Sequence, residues 1–162
     1  MAGEQLDERL YRTRASNGLT VVSEHLPGLR SAAVGIWVRS ASAHETPEQM
    51  GLAHLLEHMV FKGTERRSAR QLAEALEVRG GSLDAFTGRD YTSYQAHVLD
   101  EDLPLALDIL TDLVRRPRLD PADLTLERNV ILEEIKGVQD TPDDLVFDLF
   151  SKRLWPTHPY GY

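Results

Sequence analysis

The chain has 162 residues, which is long enough for one domain with a sizeable core or for part of a larger protein. Its 41% hydrophobic and 27% charged residues are typical of a globular protein, and its net charge of −8 gives a nucleic-acid-binding role no electrostatic support. Because cysteine is absent, disulfides and thiolate ligands are excluded, and any metal site must use histidines and carboxylates.

The beginning of the chain carries neither a basic end nor an apolar run of the kind found in secretory signals. No stretch approaches the roughly 20 apolar residues that a membrane-spanning helix needs. We therefore expect no secretory signal and no membrane span, and hence a cytoplasmic location.

The first predicted elements are strands. Residues 10–24 predict two short strands joined at Ser16-Asn17-Gly18, because an Asn-Gly pair between alternating residues is a hairpin signal. Residues 32–40 alternate again and predict a third strand with both faces partly covered.

A helix is predicted next. Thr46 and Gln49 form a capping box, and Pro47 suits the first helical position, so the helix is expected to begin there and to run to about Lys62. Its side chains are apolar nearly all round, which predicts a buried central helix.

The rest of the chain adds two strands and four helices. A second capping box, Ser68 and Gln71, opens a helix over about 69–79. The elements that follow are strands over 82–88 and 90–99 and helices over about 102–115, 121–138 and 142–154. Strands interrupted and followed by helices predict an α+β fold, with the helices packed on one face of a largely antiparallel sheet.

The sequence His54-Leu55-Leu56-Glu57-His58 lies inside the first predicted helix. Two histidines four residues apart are separated by about 40° around a helix, so both imidazoles can reach one metal ion, and Glu57 can face the same point. Neutral imidazoles suit zinc, and an unbound carboxylate nearby can take a proton from a zinc-bound water. This is the inverted form, H-x-x-E-H, of the H-E-x-x-H zinc-protease motif.

The predicted helix over 121–138 offers the third ligand that a catalytic zinc site needs. At about 100° per residue, Glu127 and Glu134 fall on the edge of its apolar stripe, whereas Glu133 falls on the solvent face. Either of the first two can bind the metal, with the other orienting a ligand histidine. Helical phase alone does not choose between them.

Both motifs together resemble the pitrilysin (M16) family of zinc metallopeptidases. Residues 54–64, His-Leu-Leu-Glu-His-Met-Val-Phe-Lys-Gly-Thr, match its signature, and residues 127–134 match its distal E-R-x-x-x-x-x-E helix. Within the family the chain is most similar to bacterial processing-protease-like members and to the β subunit of the mitochondrial processing peptidase. The resemblance covers most of the chain and implies the LuxS/M16-like metallopeptidase fold.

The resemblance also assigns roles to these residues. It implies that His54, His58 and Glu134 bind one zinc ion, that Glu57 is the base that activates the zinc-bound water, and that Glu127 orients a ligand histidine. The implied activity is that of a zinc-dependent endopeptidase.

A strand that follows Gly80-Gly81 resembles the family's substrate-binding edge strand. By this correspondence Asp84, Ala85, Phe86 and Thr87 take an extended peptide substrate as an added strand. Many members carry Asn where this chain has Asp84, which can accept a hydrogen bond from the peptide but cannot donate one.

The family also sets an expectation for domain organisation. Residues 1–162 are expected to form a single M16 N-terminal peptidase domain that is incomplete at its C-terminal end. Members carry paired, similar domains that close into a chamber, so we expect a second homologous domain or chain, as a homodimer or a heterodimer. Whether the 162 residues are active alone stays open.

Two other functions are alternatives to the peptidase. One is a non-catalytic scaffold or partner subunit of the same fold. Such subunits usually lose part of H-x-x-E-H or the distal glutamate, whereas this chain retains all four positions. A purely structural zinc site is disfavoured, since three ligands and a placed glutamate leave one metal position open.

Overall fold

The structure, a computed structural model, describes residues 2–162. Residues 2–30 form one compact unit and residues 31–162 form another. In the first unit, β1 (Ala2–Gln5), β2 (Leu10–Arg14) and β3 (Thr20–Glu24) form an antiparallel sheet in that order. The predicted hairpin is confirmed: Gly18 has φ +89° in the turn, and the Asn17 side chain accepts a hydrogen bond from the Leu19 amide at 3.1 Å. Strand β1 was not predicted.

The second unit contains a three-stranded antiparallel sheet and five helices. The strands are β4 (Ser31–Val38), β5 (Ser82–Thr87) and β6 (Thr92–Leu99), in the order β4-β6-β5. The helices are α1 (Leu52–Val60), α2 (Ala69–Glu77), α3 (Leu103–Arg115), α4 (Pro121–Asp140) and α5 (Pro142–Leu154). The predicted α+β class is therefore confirmed.

The core of this unit lies between one face of the sheet and the helices. Alternation along the strands places apolar side chains on that face, and α1, α2 and α3 cover it. The fully or nearly buried members are Val60, Leu72, Leu76, Tyr94, Ala96, Val98, Ala106, Ile109, Leu110 and Leu113. On the opposite face of the sheet, Trp37 and Phe86 are mostly exposed.

A buried ion-pair network fixes the segment between α1 and α2 onto α3. Asp112 is completely buried and accepts hydrogen bonds from Thr64 Oγ1 at 2.7 Å and from Arg67 Nη1 at 2.8 Å, while Arg67 also pairs with Asp108. Burial would raise the pKa of the Asp112 carboxyl, but the hydrogen bonds from Thr64 and Arg67 outweigh it and lower that pKa below its ordinary value.

The predicted start of the first helix is wrong. Residues Pro47–Gln49 form only a 3₁₀ turn, and α1 begins after Gly51, whose left-handed backbone (φ +91°) interrupts the helix. Thr46 makes no capping hydrogen bond to the backbone. Instead, the Glu45 carboxylate accepts hydrogen bonds from the Gly51 and Ala53 amides at 2.8 and 2.5 Å, so a residue outside the predicted box caps the helix.

The expectation that α1 is buried all round is also wrong. Met59 and Val60 are buried, but Leu52 is 54% exposed and Leu56 is 42% exposed. The apolar stripe predicted for α4 is open as well, since Leu124 and Ile135 are each more than two-fifths exposed. The capping box at Ser68 and the predicted extents of α2 to α5 are confirmed to within a few residues.

Candidate metal centre

Two packed helices supply the titratable side chains of the candidate site. Helix α1 carries His54, Glu57 and His58, and helix α4 carries Glu127 and Glu134. The two helices contact each other directly. Residues that lie some 70 positions apart in the sequence are therefore brought to one place by the packing of α4 on α1.

The structure brings together the three side chains for which a metal-binding role was predicted. His54, His58 and Glu134 each offer one ligand atom, and these three atoms all lie within 4.8 Å of one another. Glu134 Oε2 is 3.5 Å from His54 Nε2 and 3.7 Å from His58 Nε2. The two imidazole rings are edge to face, with centroids 4.8 Å apart, so their nitrogens converge rather than stack.

These distances fit a small cation with nitrogen and oxygen ligands. Zinc is bound by imidazole nitrogen and carboxylate oxygen at about 2.0–2.2 Å, and tetrahedral geometry then places neighbouring ligand atoms about 3.3–3.5 Å apart. The two separations from Glu134 are near that value. Two imidazoles and one carboxylate are a donor set that zinc accepts, and they leave a fourth position open.

Glu127 contacts one of the histidines and the lysine that follows the helix. Its side chain is only 9% exposed, and its Oε2 lies 3.1 Å from His58 Nδ1 while its Oε1 lies 2.7 Å from Lys62 Nζ. Burial would raise the pKa of Glu127, but the hydrogen bonds from Lys62 and His58 outweigh it and hold that pKa below its ordinary value. An ionised carboxylate can only accept, so the contact favours the His58 tautomer with its proton on Nδ1, which leaves the Nε2 lone pair available to a metal.

Glu57 lies on α1 between the two histidines and is half-buried. Its carboxylate makes no hydrogen bond or ion pair with any of residues 2–162, which distinguishes it from Glu127. Tyr94, on β6, is buried close to it: burial and the negative charge of Glu57 both raise the pKa of the Tyr94 phenol. Glu57 is thus a half-buried carboxylate, one residue before His58 on α1, that pairs with no cation among residues 2–162.

The three glutamates of α4 differ in their surroundings. Glu127 is buried, Glu134 is 46% exposed at the candidate site, and Glu133 is 71% exposed and pairs with Lys136 at 2.6 Å on the solvent side. The prediction that Glu133 faces solvent, unlike Glu127 and Glu134, is therefore correct. Glu134 is nevertheless less buried than expected for a residue at the edge of an apolar stripe.

Strand β5, which carries Asp84, Ala85, Phe86 and Thr87, is next to the site. It lies at one end of the strand order, is hydrogen-bonded to β6 on one side, and contacts α1. Its other edge pairs with no strand among residues 2–162. Asp84 and Phe86 are exposed, whereas Ala85 and Thr87 alternate toward the helices.

Two residues that contact the site's framework were missed from the sequence. Lys62 lies four residues after His58, a spacing that places both side chains on the same side of the chain at the end of α1. This spacing is the sequence signal from which Lys62 could have been predicted. Glu45, the helix cap described above, lies six residues before Gly51 and gives no local pattern.

Within residues 2–162, none of the helices combines the length and the apolar character that crossing a membrane requires.

Comparison with known protein families gives a match over most of the chain. A family model described as Insulinase (Peptidase family M16) matches residues 20–162. Proteins named as uncharacterized zinc proteases are similar to this chain: one from Bacillus subtilis is 47% identical over 153 residues and one from Mycobacterium leprae is 47% identical over 150 residues. These alignments include 94% and 93% of this chain, which spans 37% and 34% of the two relatives.

Solved structures give a similar result. A protease from Helicobacter pylori superposes with a TM-score of 0.90 at 26% identity, over 95% of this chain and 38% of that one. Pitrilysin superposes with a TM-score of 0.82 at 29% identity, over 96% of this chain and 17% of that one. The chain thus corresponds to one portion of considerably longer proteins.

Proposed function

The chain belongs to peptidase family M16, and on that premise we propose that it is the metal-binding portion of a zinc-dependent endopeptidase. The observation that carries the proposal is the convergence of His54, His58 and Glu134. The helix that supplies the two histidines also carries Glu57, whose carboxylate has no hydrogen-bond or ion-pair partner among residues 2–162. Three ligands with an open fourth position and a nearby base are what hydrolysis needs, whereas a structural site is closed by a fourth protein ligand.

Each of these side chains has a distinct task in the proposed reaction. His54 Nε2, His58 Nε2 and a Glu134 oxygen would hold the ion, and Glu127 would hold the His58 ring in the correct tautomer. A zinc ion bound there supplies a Lewis acid that makes water more acidic and polarises a peptide carbonyl. Glu57 would accept the proton from the attacking water and then deliver it to the leaving amine.

We further propose that the substrate is an extended peptide bound along β5. This strand has an unpaired edge and contacts α1, so a peptide added to that edge would lie near the helix that carries His54 and His58. Asp84 would accept a backbone hydrogen bond, and the exposed Phe86 would contact substrate side chains. A folded protein segment cannot add to an edge in this way, which favours unfolded or flexible substrates.

A second homologous domain or chain would complete the substrate chamber. This chain spans 37% and 34% of two relatives named as zinc proteases, so most of their length has no counterpart in it. The alternative scaffold function predicts the same fold without hydrolysis, and the following experiment separates the two.

The test is hydrolysis of a panel of quenched fluorescent peptides without stable structure by the zinc-loaded protein, its Glu57→Gln variant and a Glu133→Gln control. We expect Glu57→Gln to lower kcat by about 100-fold or more, because a positioned base contributes roughly 10²–10⁴, while zinc stays bound. Glu133→Gln should match the wild type, since Glu133 faces solvent. A Glu57→Gln variant as active as the wild type would contradict the proposal, as would a zinc-loaded wild type that cleaves none of the peptides in the presence of the second domain or chain.

A further inference from the structure

Helix α4 has little buried apolar surface, although it carries two of the side chains of the candidate centre. Among the residues that the structure describes, Glu127 is the one α4 residue that is buried. The apolar side chains Leu126 and Val130 are largely exposed. The contacts of Glu127 with His58 and Lys62 are therefore buried polar contacts that hold α4 against α1 and the residues that follow it.

Those contacts use both oxygens of the Glu127 carboxylate. Lys62 Nζ lies 2.7 Å from Oε1, and His58 Nδ1 lies 3.1 Å from Oε2. If only one oxygen accepted a hydrogen bond, the carboxylate could rotate about the terminal side-chain bond of Glu127. Because each oxygen has a donor, the plane of the carboxylate is fixed. Lys62 thereby controls the direction from which Glu127 meets the His58 ring.

The backbone of Lys62 is itself held in place. Its amide donates to the Met59 carbonyl at 3.1 Å, and its carbonyl accepts from Arg118 Nη2 at 3.0 Å. The Arg118 amide donates to the Gly63 carbonyl at 2.9 Å, which ties the end of α1 to the segment just before α4. The ammonium group is therefore presented from a fixed point between the two helices, rather than from a mobile surface position.

We propose that Lys62 is a positioning residue of the metal centre. Through Glu127 it holds the orientation of the His58 ring. It also holds the position of α4, which carries the proposed ligand Glu134. This inference rests on the zinc site of the proposed function. Lys62 is not among the residues whose atoms converge for the ion. Its effect is on the geometry that the free protein offers to the ion, and so on zinc affinity.

The test measures the Kd of zinc alone by competition with a chromophoric chelator, together with the melting temperature of the metal-free protein. The variants are Lys62→Met, which keeps the apolar stem, Lys62→Arg, which keeps the charge, and the control Lys136→Met. Lys136 also pairs with an α4 glutamate, Glu133 at 2.6 Å, but on the solvent side and away from the centre.

We expect Lys62→Met to weaken zinc binding by about 10-fold or more, which is the usual range for groups that orient a metal ligand. Lys62→Arg should stay within about threefold of the wild type, and Lys136→Met should leave the Kd unchanged. Because Lys62 acts through Glu127, adding Lys62→Met to Glu127→Gln should weaken binding by less than about threefold more. The metal-free melting temperatures of Lys62→Met and Lys136→Met should be similar, since a partly exposed ion pair adds little stability.

Three results would overturn the inference while leaving the zinc site intact. The first is a Lys62→Met variant that binds zinc with the wild-type Kd. The second is a double variant whose loss of zinc affinity equals the product of the losses in Lys62→Met and Glu127→Gln alone. The third is a set of variants in which zinc affinity falls in proportion to the melting temperature of the metal-free protein. Wild-type protein that binds no zinc would instead overturn the zinc site, and the role of Lys62 with it.

Discussion

Replacing Glu134 by glutamine tests which α4 carboxylate binds the metal. Its Oε2 lies 3.5 and 3.7 Å from the two imidazole Nε2 atoms, so Glu134→Gln removes the one anionic donor while keeping the shape of the side chain. Four-ligand zinc sites bind with about 10–16 kcal/mol, or about 2.5–4 kcal/mol per ligand, which corresponds to roughly 70- to 900-fold in Kd. The glutamine carbonyl still offers an oxygen, so we expect a loss near the lower end, about 100-fold.

The matched control for this change is Glu133→Gln. Glu133 is the adjacent residue of the same helix and has the same chemistry, but it faces solvent and pairs with Lys136. Its Kd for zinc, measured by the same chelator competition at constant pH, should lie within about twofold of the wild type, since exposed ion pairs contribute little. Wild-type affinity in Glu134→Gln, or an equal loss in both variants, would refute the assignment of Glu134 as a ligand.

Three further substitutions test the framework around the centre. Asp112→Asn should lower the free energy of unfolding, measured with urea, by about 2–4 kcal/mol, because Arg67 Nη1 then loses the charged oxygen to which it donates. The pKa of Asp112 is lowered in the folded state, so its contribution to the free energy of unfolding is complete above the unfolded pKa of about 3.9 and is lost as pH falls through the folded value. Asp112→Asn should therefore make the free energy of unfolding depend less on pH in the acid range. An unchanged pH dependence would contradict this. Glu45→Ala should cost about 1–2 kcal/mol in the same assay by removing the cap of α1, and a stability equal to the wild type would show that the cap is dispensable. Gly161→Ala should cost at least about 1–3 kcal/mol because a Cβ there overlaps the Trp155 carbonyl oxygen, whereas a neutral result would mean that this turn can shift.

Much of the candidate centre was predictable because its information is local. His54 and His58 are four residues apart on one helix, so their convergence follows from helical geometry alone. The same periodicity predicts that Glu133 faces away from Glu127 and Glu134. In the structure Glu133 pairs with Lys136 on the solvent side, whereas Glu127 and Glu134 contact the histidines of α1.

The different roles of Glu127 and Glu134 were not predictable from phase. Both face α1, and the way α4 crosses α1 decides that Glu127 becomes buried against His58 and Lys62 while Glu134 stays half-exposed between the imidazoles. That crossing depends on contacts between residues far apart in the sequence. The contact between Lys62 and Glu127 depends on the same crossing, although the four-residue spacing of Lys62 from His58 is a local signal.

The start of α1 was predicted wrongly because two capping signals competed. Thr46, Pro47 and Gln49 form a good local pattern, but it produces only a 3₁₀ turn. Gly51 adopts a left-handed backbone, and the Glu45 carboxylate folds back to cap the helix that follows it. A side chain that reaches the helix from outside the usual capping window leaves no short-range pattern in the sequence.

The most direct test of the proposed metal centre is X-ray absorption at the zinc edge, recorded on the wild-type protein after one equivalent of zinc has been added. We expect a spectrum with two imidazole ligands and further oxygen donors, all at about 2.0–2.2 Å, because His54, His58 and Glu134 are the proposed protein ligands. A spectrum with no imidazole scattering, with a different number of histidines, or with zinc bound only by water and carboxylates would contradict the centre described here.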